Sequence, residues 1–173
     1  MNKLAPLEKS LVSSSEFTFI PKNSLSNTEI NKIIENWIKD ADHLYQIKEF
    51  DKSENLYRRV IMIKNYPFNE ENINNILYKF SEVLISQINI KNDTLTKNIK
   101  KSKQNGAKKR DINGMLEILE LQSELTALYN EVENNLYRII SNGSNDLKLI
   151  NLVKEKINDI IKKKEILLWS KRI

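Results

Sequence analysis

Residues 37–63, WIKDADHLYQIKEFDKSENLYRRVIMI, decide the fold, because here the identity of the residues says more than helical amphipathicity alone. Trp37, Ala41, Leu44 and Tyr45 recur at helical spacing before the KEFD corner at 48–51, and Leu56, Tyr57, Val60, Ile61 and Ile63 recur after it. A corner this short forces the two helices back on each other as an antiparallel pair. Asp51, with Glu54 three residues on, reads as the cap of the second helix.

Upstream, Ser26 and Glu29 match a capping box, and Leu25 is placed to staple onto Ile30. Helix 1 should run from there to about Ile47, with Ile30, Ile33, Ile34, Trp37 and Ile38 on one buried stripe. Residues 1–24 hold two prolines, the run Ser13-Ser14-Ser15 and no helical period, so they read as an extended or disordered arm.

Downstream, helix 2 should stop before Asn65-Tyr66-Pro67, since proline disfavours helix in the residue preceding it. Asn69 is a suitable cap for helix 3, whose apolar positions run from Ile73 to Ile99; its more polar second half, from Asn89 on, either projects from the core or breaks near Asn92-Asp93. The stretch KNIKKSKQNGAKKRDING, 97–114, reads as a solvated basic loop. Lys100, Lys101, Lys108, Lys109 and Arg110 are its candidate contacts for nucleic-acid phosphates or for a nuclear import receptor.

Helix 4 carries Ile118, Leu121, Leu125, Leu128, Val132 and Ile139 at alternating heptad spacing, with Asn135 in the remaining slot. After the Asn142-Gly143 turn, helix 5 carries Ile150, Val153, Ile157, Ile160 and Leu167, with Lys164 in the seam. The matching heptads predict an antiparallel coiled-coil hairpin over 112–173. Met115, Leu119, Leu136, Ile140, Leu149, Ile161 and Leu168 widen both stripes beyond what a two-stranded coil needs, so helices 1–3 or another chain must cover them. Ile118, Leu121, Leu125, Leu128, Val132, Ile150, Val153, Ile157 and Ile160 are the candidate partner-binding positions. Glu117, Glu120, Glu124 and Glu131 repeat on the polar face of helix 4, where lysines of a neighbouring helix can reach them.

Composition narrows the chemistry. The 173 residues contain no cysteine and one histidine, His43, which leaves disulfides, thiolate zinc sites and cysteine nucleophiles without their ligands. No phosphate-binding glycine loop, His-Glu-x-x-His or nucleophile elbow occurs, so neither catalysis nor a cofactor is expected. A net charge of +5, with acids and bases interspersed, is milder than a dedicated nucleic-acid binder usually shows. The N-terminus lacks a signal-peptide core and no stretch approaches the ~18 apolar residues of a membrane span. The expectation is a soluble cytoplasmic protein, with nuclear import open through Lys108-Lys109-Arg110.

Trp37, Ala41, Leu44, Phe50, Ser53, Tyr57 and Val60 stand in the order and spacing of the tetratricopeptide consensus, and the hairpin at about 34–67 resembles one such unit. Val60 is bulkier than the usual alanine, the consensus proline is displaced to Pro67, and no second copy follows. The corner Phe50-Asp51 followed by Leu56-Tyr57 also resembles the first two helices of a microtubule-interacting-and-trafficking domain, a three-helix bundle. Both resemblances imply a non-catalytic fold that binds peptide segments or helices. The expected architecture is all-α: a tetratricopeptide-like or three-helix bundle over 25–100, a basic loop at 101–111 and the C-terminal hairpin. The expected role is a protein–protein interaction adaptor or complex subunit whose helical partners meet the C-terminal seams, in a hetero- or homo-oligomer. A nucleic-acid-binding accessory protein acting through residues 97–110 is the alternative.

Overall fold

The computed structural model describes residues 26–63, 69–105 and 112–170. The expected N-terminal arm, Pro67 and the basic run Lys108-Lys109-Arg110 lie outside them. Among the described residues the chain is all-α, with five helices and no strand.

Helix α1 spans Asn27–Gln46 and begins at the expected capping box. The Glu29 N–H donates to Ser26 Oγ at 3.3 Å, and the Ser26 N–H donates back to Glu29 Oε2 at 2.8 Å. The Ser26 N–H, followed by the Ser26 hydroxyl that also donates to Glu29 Oε2 at 2.8 Å, holds the Glu29 carboxyl below its ordinary pKa. The corner after α1 is closed by backbone alone. Lys48 takes the left-handed conformation at φ 64°, its N–H donates to the Tyr45 carbonyl at 3.0 Å, and the Glu49 N–H donates to the Leu44 carbonyl at 2.9 Å. This is the paired closure of a Schellman motif, with lysine in the position where glycine is commonest.

Helix α2 covers Phe50–Met62, which corrects the expected aspartate cap. Glu49 takes the cap position without a side-chain bond, and Asp51 already lies inside the first turn. With the Schellman closure setting the chain's direction, a side-chain cap is not needed. Ser53 instead donates its hydroxyl to the Ala41 carbonyl at 2.8 Å, with both residues wholly buried. Small residues at 41 and 53 therefore bring the backbones of α1 and α2 into close approach.

Helix α3, Glu70–Asn105, starts where the Asn72 N–H donates to Asn69 Oδ1 at 2.7 Å. It runs unbroken through Asn92-Asp93, because Asn92 Nδ2 donates to the Tyr129 hydroxyl at 2.8 Å and Leu95 stays buried beyond it. The loop expected over 97–114 is likewise corrected: helix continues to Asn105, and α4 begins at Ile112 and ends at Asn142. Lysine and glutamine are good helix formers, and Asn113-Gly114 is tolerated in the first turn of α4. The Asn142-Gly143 turn holds: Gly143 sits at φ 75°, and Asp146 Oδ1 accepts the N–H groups of Lys148 and Leu149 to start α5, Leu147–Ser170.

Each helix packs on the next, and α3 against α4 is the most extensive contact, while α1 touches α3 only lightly. One continuous core runs from Ile34 in α1 to Leu167 in α5. Among the described residues no helix is long and apolar enough to cross a membrane.

Candidate functional site

Charged and polar side chains on α2, α3, α4 and α5 are tied across helices in the body of the molecule. The Arg58 guanidinium donates to both Glu131 oxygens, at 2.5 and 2.6 Å, and to Glu54 at 2.7 Å, and it lies 5.3 Å from the Phe80 ring centre. The Glu131 bond, ahead of Glu54, raises the Arg58 pKa against partial burial. Gln87 donates to Asp51 and Glu54, joining α3 to the first turn of α2. Lys156 of α5 meets Glu82 of α3 at 2.5 Å. Burial opposes the Lys156 charge, yet this carboxylate keeps its pKa above the ordinary lysine value. The Tyr57 phenol is pushed up by burial and by its bond to Asp42, which Lys79 also holds at 2.6 Å. Each of these perturbed groups is locked between helices, which is the signature of structural pairing rather than of a poised acid or base.

The candidate partner-binding positions of α4 and α5 fall along this same core. Leu125, Val132 and Val153 have no exposed surface, Ile157 and Ile160 are buried, and Ile118, Leu121, Leu128 and Ile150 are half-buried. The structure brings eight of the nine into the chain's own core packing, with Ile150 half-buried in the first turn of α5. The residues that widened the stripes divide. Leu136 and Leu149 are buried, Ile140 and Ile161 are half-buried, and Met115, Leu119 and Leu168 remain exposed.

The exposed ones point to the end of the molecule that sequence reasoning described least well. Lys164 of α5 pairs with Glu133 of α4 at 2.6 Å, so α5 ends at Ser170 level with about residue 127 of α4. Gln87 meets the first turn of α2, so α2 begins level with the middle of α3. Beyond those points, among the described residues, α3 and α4 continue as an antiparallel pair, joined by Lys91–Glu124 at 2.5 Å and by Leu95, Ile99, Ile118 and Leu121 between them. The projecting part of α4 is about 15 residues, or ~22 Å at 1.5 Å per residue.

On this tip Ile112, Met115, Leu116 and Leu119 are 64%, 56%, 52% and 57% exposed. Their i, i+3, i+4, i+7 spacing makes them one row, turned away from the seam residues that face α3. Exposed Glu120 stands beside Leu116, exposed Glu117 lies nearer the seam, and exposed Lys97, Lys100 and Lys101 share the face of α3 turned away from Leu95 and Ile99. Met115 and Leu119 could be read from the sequence as surplus to the seam. Ile112 and Leu116 could not, because they fall outside the heptad seam and were not among the residues that widened it.

His43 is exposed on α1. Among the described residues no group of three or more His, Cys, Asp or Glu side chains is placed to hold a metal ion. Comparison with protein-family models, curated proteins and solved structures found no significant match.

Proposed function

We propose that the protein is a non-enzymatic assembly subunit that engages helical segments through the apolar row of the α4 tip. The exposure of Ile112, Met115, Leu116 and Leu119 along one helix face carries this reading, since a row of that spacing is what an amphipathic helix packs against. It moves the docking surface from the α4–α5 seam, whose residues serve the core, to the adjoining face. The α1–α2 hairpin supports a tetratricopeptide-like reading of the N-terminal half, because Ala41 and Ser53 touch through a buried hydrogen bond.

The test uses an apolar-surface dye at high protein dilution. Fluorescence should rise on the native chain and not on the Leu116→Lys/Leu119→Lys variant, with helical circular dichroism unchanged. No dye response from the native chain would dispose of the reading.

A second reading, nucleic-acid binding, draws on Lys97, Lys100 and Lys101, which form a basic helical edge. It predicts salt-sensitive DNA or RNA binding that weakens when the three become alanine. Glu117 and Glu120 on the neighbouring helix offset that charge locally, which favours the protein-docking reading.

A further inference from the structure

Where α4 turns into α5, two asparagines meet with a fixed polarity. The Gly143 carbonyl can only accept, and Asn74 Nδ2 donates to it at 2.8 Å, so the Asn74 amide oxygen must face the other way. There it accepts from Asn142 Nδ2 at 2.9 Å. Asn74 has no exposed surface, so turning either partner away leaves a buried polar atom unpaired. Asn142 is followed by glycine, whose missing side chain leaves its backbone nitrogen open to approach a neighbouring carbonyl carbon. In the folded turn that nitrogen donates instead to the Ile140 carbonyl at 3.3 Å. A cleft of about 630 Å³, lined by Asn69, Gly143 and Ser144 among others, brings water to the turn.

We propose that Asn142-Gly143 is a deamidation site held shut by Asn74, a positioning residue, so that modification follows opening of the α4–α5 turn. In the reaction the Gly143 nitrogen bonds to Asn142 Cγ and gives up its proton, the Cγ–Nδ2 bond breaks, and ammonia leaves with that proton. Water then adds to either carbonyl of the succinimide, leaving aspartate or isoaspartate. The closed turn opposes the attack because the Asn142 amide is drawn toward Asn74, and turning it away strands the buried Asn74 oxygen. The product does not fit back. A carboxylate has no hydrogen to donate, so it meets the Asn74 oxygen as a second acceptor, and turning the Asn74 amide over sets that oxygen against the Gly143 carbonyl instead. Deamidation therefore loosens the α4–α5 turn from α3.

Peptide mapping by mass spectrometry tests this on the full chain, aged in mildly alkaline buffer both folded and in urea. Aspartate and isoaspartate at 142 should form about tenfold more slowly in the folded chain, the effect of one buried unpaired acceptor. Asn74→Leu should recover most of that factor, and so should Asn74→Ala, whose space water from the cleft can fill. The rate at exposed Asn113, which also precedes glycine, reports any general loss of fold in the same digest. Acceleration confined to 142 supports the proposal. Equal rates folded and in urea, no acceleration in either variant, or equal acceleration at both asparagines in both variants overturns it. Asn142→Asp gives a second readout. Its urea midpoint should fall below the native chain's at neutral pH, and the gap should close in acid, where the protonated carboxyl regains a hydrogen to donate to Asn74. A gap that ignores pH, or that keeps its pH dependence in the Asn74→Leu background, overturns the Asn74 contact as what deamidation breaks.

Discussion

Helices α3 and α4 run through two regions that treat their side chains in opposite ways. In the body, between the Asn74–Asn142 bond and Asn92–Tyr129, they are sandwiched by α2 and α5, and polar groups such as Arg58, Gln87 and Lys164 have partners on another helix. In the tip, among the described residues, the same two helices have only each other, and large aliphatic residues of α4 face outward. A two-helix pair can bury one seam and no more. A third or fourth helix is what turns a second stripe into core, and among the described residues none reaches the tip.

This contrast can be broken by truncating a leucine on each side. Leu136→Ala in the body removes a side chain with no exposed surface and should cost about 2–5 kcal/mol in urea unfolding. Leu116→Ala at the tip, measured on the dilute chain, should cost less than about 0.5 kcal/mol beyond noise. Equal losses at the two sites would erase the distinction.

Arg58→Met keeps an aliphatic chain on Phe80 while removing the bonds to Glu131 and Glu54. With the guanidinium about one-third exposed, the expected loss is about 1–2 kcal/mol, and Glu131→Gln in the same background should add little further. Full additivity of the pair in a double-mutant cycle would show that the fork does not couple α2 to α4.

Asn135 is buried at 6% exposure and its Nδ2 finds no hydrogen-bond partner. Asn135→Leu should raise the unfolding free energy by about 1 kcal/mol, the cost of an unsatisfied buried donor. A loss there would mean that the amide holds the α4 register through a bond formed in solution. Lys48→Gly relieves the left-handed backbone at the corner and should gain about 0.5–1 kcal/mol.

The smallest effect concerns Glu29, which is fully exposed and whose folded-state pKa is lowered by Ser26. Its contribution is present above the unfolded carboxyl pKa and is lost as pH falls through the lowered folded value. The acid side of the stability profile should therefore flatten slightly in Glu29→Gln, which has no carboxyl to titrate. An unchanged profile would show that the capping box adds nothing measurable.

Much of the body can be read from the sequence because its signals are local. Ser26 with Glu29, Asn69, and Gly143 each announce a helix boundary within three residues, and Ala41 with Ser53 marks the crossing of α1 and α2. The failures were of two physical kinds. At Asp51 and at 97–114, side-chain or compositional cues were overruled by the backbone: a Schellman closure needed no cap, and lysine-rich sequence continued a helix whose Leu95 and Ile99 still had α4 to pack on. In the C-terminal seams, spacing shows that a stripe must be covered without showing which helix covers it, and here α3 packs along α4. Arg58 and Glu131 lie 73 residues apart, so no local pattern could have joined them.

Hydrogen–deuterium exchange on the full chain, followed as a function of protein concentration, bears on both regions at once. Amides of α3 and α4 in the body should be protected at every concentration, while those of 112–120 should exchange quickly in dilute solution. Tip amides as slow as the body's in the most dilute sample would show that the projecting pair is complete by itself and that the apolar row needs no second chain.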